Sequence, residues 1–264
     1  MVTIFLRTIK DRWLMFAIYT VFSIALMWMY IALFPSFSKV DTSFMNAFPE
    51  GMMKAFNFDI NSFVTIQGFL STEQFSFIWP MLMIALTVGY GGYAFAGEIE
   101  KGTIEFLLAK PVSRLNFFFS RYLVGLVMLV VFTPLTILAA IPLCKLYDIN
   151  LSSSHFYTFV WLSLLFGVAI YNLAIMLSAI FSEKGKVFFL SIGLTVLMYV
   201  INIISTLKES LSDIKYVSFF YYYNPPKALI YNQIDQYTYW MFGGVAVVSL
   251  IVALVVFTRR DIST

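Results

Sequence analysis

Charged residues are scarce in this chain: 17 Lys and Arg and 14 Asp and Glu occur among 264 residues, or 12%. That is about half the share of a soluble domain. The single cysteine, Cys144, excludes an intrachain disulfide. It and the single histidine, His155, cannot supply the three or four protein ligands of a typical zinc site. The net charge of +3 argues against nucleic acid as a partner.

A phosphate-binding loop is also missing. Such a loop needs the pattern G-x-x-x-x-G-K-[ST], in which the lysine reaches the phosphates. Gly97 and Gly102 have the required spacing, but Thr103 follows directly with no lysine between. The chain is therefore expected to bind neither ATP nor another cofactor of its own.

Hydrophobic residues make up 61% of the chain, which places it among membrane proteins. Six apolar stretches are long enough to cross a hydrocarbon core, which needs about 20 helical residues. None of them contains Asp, Glu, Lys or Arg. The sequence thus predicts an all-α integral membrane protein, a single transmembrane domain over 1–264 with no nucleotide-binding domain. The predicted spans are 14–34, 75–96, 122–143, 156–181, 187–207 and 238–258.

The basic residues set the expected orientation. Six spans put both termini on one side, and most lysines and arginines near span ends lie there, among them Arg7, Lys10 and Arg12. Basic residues near helix ends favour the cytoplasm, so both termini are predicted to be cytoplasmic. The first apolar stretch is too long for a signal-peptide core and is interpreted as a retained helix.

Two outer segments carry signs of short interfacial helices. Pro49 and Glu50 suit a first helical turn, and Met52, Met53 and Phe56 follow at helical spacing. In the last outer loop, Pro226 is expected to start a short helix that runs through Ile230.

Residues 219–223, which precede the short helix expected from Pro226, are all Phe or Tyr. They suit an aromatic belt at headgroup level, and a lateral gate for a substrate is the alternative.

Residues 97–114 form a charged island between the second and third spans. Glu98, Lys101 and Glu105 share one helical face by their spacing. Ile104, Leu107 and Leu108 form a neighbouring apolar stripe, which is typical of an amphipathic helix in the membrane interface. Gly102 permits a break, and Ser113 can cap the helix that enters the third span. Either a solvated linker or a helix that receives force from a soluble partner fits this pattern.

The literal residues of the island resemble a family signature. Acidic-x-acidic-x-Gly-Thr-x-Glu, then two leucines and Lys-Pro-Val-Ser-Arg, is similar to the first cytoplasmic connection of ABC-2 type export permeases. The segments 48–55 and 224–229, the six spans and the cytoplasmic termini resemble the same family, so the resemblance covers essentially the whole chain.

That resemblance implies a non-catalytic transmembrane permease subunit of an ABC exporter. Two cytoplasmic ATPase subunits would bind ATP and magnesium, and a second permease, identical or homologous, would complete the translocation path. The first and fifth spans would form the contact between permeases. The cargo would be a lipid, peptide, drug-like molecule or ion, and the location a bacterial cytoplasmic membrane. The implied ATPase-coupling segment consists of Glu98, Glu100, Lys101, Gly102, Thr103 and Glu105, with Arg114 at its exit.

Two other classes of function stay open on the residues alone. An autonomous secondary transporter or channel usually places an ionisable residue at membrane depth, and none is expected here. A membrane-embedded enzyme needs a nucleophile with a base, a metal centre or paired carboxylates. Ser163 and Ser178 are available, but hydrogen bonds between helices are the expected use of both.

Overall fold

The structure, a computed structural model, describes residues 2–37, 64–104 and 113–260. Within these ranges the chain is helical and contains no strand, as predicted. The predicted outer helix that begins at Pro49 lies outside the described residues. The helices are α1 (Val2–Phe37), α2 (Ile66–Leu70), α3 (Ile78–Ala94), α4 (Ala96–Glu100), α5 (Arg114–Leu138), α6 (Ala140–Leu146), α7 (Ser153–Ile180), α8 (Lys184–Leu207), α9 (Phe219–Tyr222), α10 (Pro225–Tyr231) and α11 (Gln236–Arg259).

Five helices among the described residues are long and apolar enough to cross a membrane, counting α5 and α6 together. The predicted second span, 75–96, differs from the observed one. A π-helical turn, Ser71–Phe75, follows α2, and the chain then bends by 44° before α3. The sixth span exists only if this bent pair crosses the membrane as one unit. Of the other spans, α7, α8 and α11 begin and end within three residues of the predicted limits, whereas α1 is much longer and α5 begins eight residues before the predicted start at 122.

Two prolines account for the breaks. A proline has no N–H to donate to the carbonyl four residues earlier, so it is best tolerated in the first turn of a helix. Pro80 is the third residue of α3, directly after the bend, and Pro142 is the third residue of α6, directly after the break at Ala139. Pro134, by contrast, lies inside α5 without ending it.

Helix α7 occupies the centre of the bundle and packs against α3, α5, α8, α10 and α11. Gly91 permits the close approach of α3 to α7, since a Cβ there would lie 2.8 Å from the Cβ of Ala174. Aromatic rings fill the space beside α7, with Trp79 stacked on Phe132 at 6.0 Å and near Phe159 at 6.3 Å. Much of α1 and α8, in contrast, faces outward.

We call the end of the bundle at which α1 begins and α11 ends the inner end, and the opposite end the outer end. At the outer end, the predicted short helix from Pro226 to Ile230 is present as α10. The Asn224 side chain caps it by accepting a hydrogen bond from the Lys227 amide at 2.9 Å. A 3-10 helix, Glu209–Val217, precedes α9 and α10.

Candidate functional site

The segment Ala96–Ile104 lies at the inner end, directly after a break in the helix at Phe95, whose φ and ψ are −126° and −57°. A break exposes backbone N–H groups that need new partners. Ser178 of α7 supplies one: its Oγ accepts from the Phe95 and Ala96 amides at 3.2 and 3.0 Å. The same hydroxyl donates to the Gly92 carbonyl at 3.4 Å. One serine of α7 therefore holds the junction between α3 and α4.

Glu98 points into the bundle, where it forms an ion pair with Arg121 of α5. The Arg121 Nη2 lies 2.6 Å from the Glu98 Oε1, and the two residues are only 7% and 5% exposed. The other carboxylate oxygen accepts from the Thr103 hydroxyl, which also bonds the Glu98 backbone carbonyl at 3.2 Å. Both oxygens of the carboxylate are thus used inside the protein.

The predicted shared face of Glu98 and Lys101 is therefore wrong, because Lys101 is exposed whereas Glu98 is buried. The helix α4 ends at Glu100, so the regular spacing on which that face depends does not continue. Gly102 follows with φ of +65°, a left-handed conformation that favours glycine. The predicted break at Gly102 is confirmed, and Glu105 lies outside the described residues.

Glu100 and Lys101 connect the segment to two further helices. The Glu100 Oε2 accepts from the backbone amide of Lys184 at 2.8 Å, so it caps the first residue of α8 from a distant part of the chain. The Lys101 Nζ lies 5.0 Å from the centre of the Tyr93 ring, and the Arg12 guanidinium of α1 lies 3.5 Å from the same centre. The two cations both contact Tyr93, one from α1 and one from the segment.

Arg114 begins α5, directly after Ser113, whose Oγ caps the helix as predicted by accepting from the Asn116 amide at 3.2 Å. The Arg114 guanidinium donates to the backbone carbonyls of Thr258 and Arg260, at 3.2 and 2.7 Å. It therefore contacts the end of α11 rather than the segment Ala96–Ile104.

A comparison with known families decides what kind of bundle this is. The family model for ABC-2 family transporter proteins matches residues 5–262. The chain belongs to the ABC-2 transporter family. No curated protein matches it. Members of this family are membrane transport components and generally non-catalytic, so the chain is a multi-pass permease.

Of the residues that the sequence assigned to the site of this ABC-2 permease, five lie together in one segment at the inner end. They make different contacts: Glu98 faces inward, Glu100 caps α8, Lys101 is exposed, Gly102 makes the turn, and Thr103 holds Glu98.

The sequence analysis missed two residues of this inner end, Arg121 and Arg260, whereas the hydrogen bonds of Ser178 between helices agree with the use expected for it. Arg121 is the residue directly before the predicted third span, so its position next to an acidic loop was an available signal. Arg260 gave no such signal. Arg260 donates to the carbonyls of Ala179 and Ile180, both at 3.0 Å, and to the Ser182 hydroxyl.

The outer end of the permease is joined by polar contacts between α7 and α10. The His155 Nδ1 lies 2.7 Å from the Leu229 carbonyl, and the Thr158 hydroxyl donates to the Asn232 side chain at 2.5 Å. Helix α10 also packs against α2 and its π-helical turn. Among the described residues no group of three or more His, Cys, Asp and Glu is placed to hold a metal ion.

Proposed function

We propose that this chain is the transmembrane subunit of an ATP-driven exporter, which borrows its energy from two separate cytoplasmic ATPase subunits that bind ATP and magnesium. One observation carries the proposal: a short segment, Ala96–Ile104, is attached through specific contacts to helices on several sides of it. Its contacts reach α5 through Glu98, α7 through Ser178 and α8 through Glu100. A displacement of this segment would therefore act on several membrane helices at once.

The inner end is the cytoplasmic end in this proposal. Arg7, Lys10 and Arg12 at the start of α1, and Arg259 and Arg260 at the end of α11, give it the basic character that favours the cytoplasm. The exposed part of the segment, with Lys101 at its tip, then faces the compartment that contains the ATPase.

A second permease subunit, identical or homologous, completes the translocation path. The outward faces of α1 and α8 support this arrangement, since α8 carries a groove lined by Gly185, Phe188, Phe189, Ile192 and Gly193. Small residues next to large apolar ones allow helices to approach closely in a membrane. The cargo that we propose is a lipid, peptide, drug-like molecule or ion, and the membrane is a bacterial cytoplasmic membrane.

The proposal is tested by purifying the tagged chain from its native membranes in several mild detergents and identifying stoichiometric companions. An ATPase that co-purifies, with ATP hydrolysis in the complex, is the expected result. A chain that comes out alone in every detergent would contradict the proposal and favour an autonomous carrier or channel.

A matched pair of variants locates the docking surface. Lys101→Glu reverses an exposed charge in the segment, and we expect it to reduce the amount of ATPase that co-purifies. Arg259→Glu reverses an exposed charge at the same end but outside the segment, and it should leave co-purification unchanged. Equal losses in both variants would contradict docking at Ala96–Ile104. A variant that reverses the charge of Glu98 is not a suitable probe, because it would break the buried ion pair with Arg121.

A further inference from the structure

We infer that Arg121 is a positioning residue for coupling: the Glu98–Arg121 pair transmits displacement of the segment Ala96–Ile104 to the third membrane span, α5. This inference rests on the proposed function, and it assigns Glu98 an internal role in place of contact with the ATPase. Nothing in the sequence signature distinguishes Glu98 from Glu100 in this respect. Their surroundings in the structure do.

The first step of the argument is burial. The Glu98–Arg121 pair is shielded from water, whereas the bond from Glu100 to the Lys184 amide is exposed. Exposed ionic contacts contribute little because water and salt screen them. Separating a buried pair leaves an uncompensated charge in a medium of low dielectric constant, which is strongly unfavourable. When the segment moves, the exposed contacts can break, whereas Arg121 must follow Glu98.

The second step is the stiffness of the connection. The Arg121 Nη2 bonds one oxygen of the carboxylate and the Thr103 hydroxyl bonds the other, so the Glu98 side chain cannot rotate without breaking one of them. Thr103 also bonds the Glu98 backbone carbonyl, which ties the turn at Gly102 to α4. The carboxylate and the segment therefore move as one body.

The third step is the position of the pivot. The non-helical backbone at Phe95 separates the segment from α3, and it lies only three residues before Glu98. The residues between the break at Phe95 and the buried Glu98 form a short lever. A force on the exposed end of the segment, at Lys101, would therefore displace Arg121. Arg121 lies in the second turn of α5, whose first residue, Arg114, holds the end of α11.

The other contacts of the Arg121 guanidinium also indicate that its position depends on Glu98. Its buried Nε has no hydrogen-bond partner within the described parts of the chain. Its guanidinium otherwise lies over the Phe117 ring of its own helix at 5.6 Å. Glu98 is thus the acidic group that fixes the guanidinium, and the position of Arg121 depends on where the segment places that carboxylate.

The test uses the complex of the permease with its co-purifying ATPase, reconstituted in lipid nanodiscs. Backbone hydrogen exchange is compared between the nucleotide-free complex and the complex trapped with ATP and vanadate. In the unaltered protein, we expect trapping to change exchange both in Ala96–Ile104 and in the first turns of α5. In the double variant Glu98→Gln, Arg121→Gln, the change should persist in the segment and be lost from α5.

The double variant removes both charges, so neither is left buried and unpaired. Glu100→Gln is the matched control, because it alters an acidic residue two positions away and leaves the pair intact; its α5 response should be normal.

If the double variant does not assemble, Arg121→Lys keeps the charge but loses the planar guanidinium, and a weakened α5 response is expected. A normal α5 response in the assembled variant would overturn the inference. An unaltered chain that binds no ATPase would instead overturn the proposed function.

Discussion

The guanidinium of Arg114 donates to the backbone carbonyl of Arg260 at 2.7 Å, so two basic residues 146 positions apart in the sequence lie in contact. Their charges do not oppose each other directly, because the Arg260 side chain turns away to the end of α7. There it donates to the carbonyls of Ala179 and Ile180, which have no partners in the helix itself. The inner ends of α5, α11 and α7 are thereby joined by two arginines.

The first prediction concerns this connection. Arg260→Ala removes a cation that satisfies the terminal carbonyls of α7 and interacts favourably with the helix dipole. We expect a loss of stability of about 1.5–2 kcal/mol, the low end for hydrogen bonds to charged groups, because Arg260 is only half-buried. The measurement is the temperature at which the detergent-solubilised protein loses its monodisperse peak in size-exclusion chromatography.

Arg259→Ala is the control for this prediction. Arg259 is exposed and next in sequence, so its removal changes the net charge equally without touching α7. An equal loss of stability in both variants would show that charge, and not the contact with Ala179 and Ile180, is responsible.

The second prediction concerns the packing of two tyrosines against α5. A Cβ at Gly125 would collide with the Tyr171 hydroxyl, and it would lie 2.6 Å from the Tyr171 Cζ and from a ring carbon of Tyr90. Tyr171 cannot retreat freely, because its hydroxyl donates to the Tyr122 carbonyl at 2.9 Å. Gly125→Ala should therefore destabilise the protein by about 1–3 kcal/mol, as overpacked cores generally do.

Gly244→Ala provides the comparison, since a Cβ there meets nothing within 4 Å and glycine is the poorer helix former. It should be neutral or slightly stabilising in the same thermal assay. If Gly125→Ala were equally well tolerated, the close packing of α5 against Tyr171 would not be a constraint on the fold.

Much of this fold was predictable from local signals. The apolar stretches predicted most of the membrane helices, Ser113 marked the start of α5, and Pro226 marked α10 to within one residue. Each signal is local, because a span depends on its own hydrophobicity and a cap on residues three positions apart. The bend before α3 follows from Pro80, but the extension of the helical chain back to Ile66 depends on packing against α1 and α10.

The candidate site was predictable only as a segment. The sequence placed Glu98, Glu100 and Lys101 together, and helical spacing treated Glu98 and Lys101 as equivalent. Which of them faces inward depends on Arg121, 23 positions away along the chain. Periodicity within one segment contains no information about a partner on another helix, so burial of Glu98 could not be read from it.

The third prediction concerns a hydrogen bond between α3 and α5. The indole N–H of the fully buried Trp79 donates to the Thr136 hydroxyl at 2.9 Å. Thr136→Val keeps the shape of the side chain but leaves that N–H without its acceptor. The expected loss is about 0.6 kcal/mol and at most about 1.7 kcal/mol, the range found for polar contacts between membrane helices. Thr136→Ser retains the hydroxyl and should lose less in a thermal unfolding comparison; the reverse order would contradict this role of Thr136.

The last prediction concerns Asn232, which ends α10 in a left-handed conformation with φ of +55°. Its side chain also accepts from the Thr158 hydroxyl of α7. Asn232→Gly keeps the backbone conformation at no steric cost but loses the side-chain contact. Asn232→Ala loses the contact and keeps a Cβ without the polar side chain that lets asparagine adopt the left-handed conformation, at a cost of about 1–2 kcal/mol relative to glycine.

Thr158→Val removes the same contact from the other side and leaves the backbone of Asn232 unchanged. We therefore expect Asn232→Gly and Thr158→Val to be similar in stability, with Asn232→Ala clearly below both in thermal unfolding. Because Asn232→Gly and Thr158→Val delete one shared bond, their double variant should lose little more than either alone. Fully additive losses would mean that the two residues stabilise the outer end independently, and that α10 is not attached to α7 through this bond.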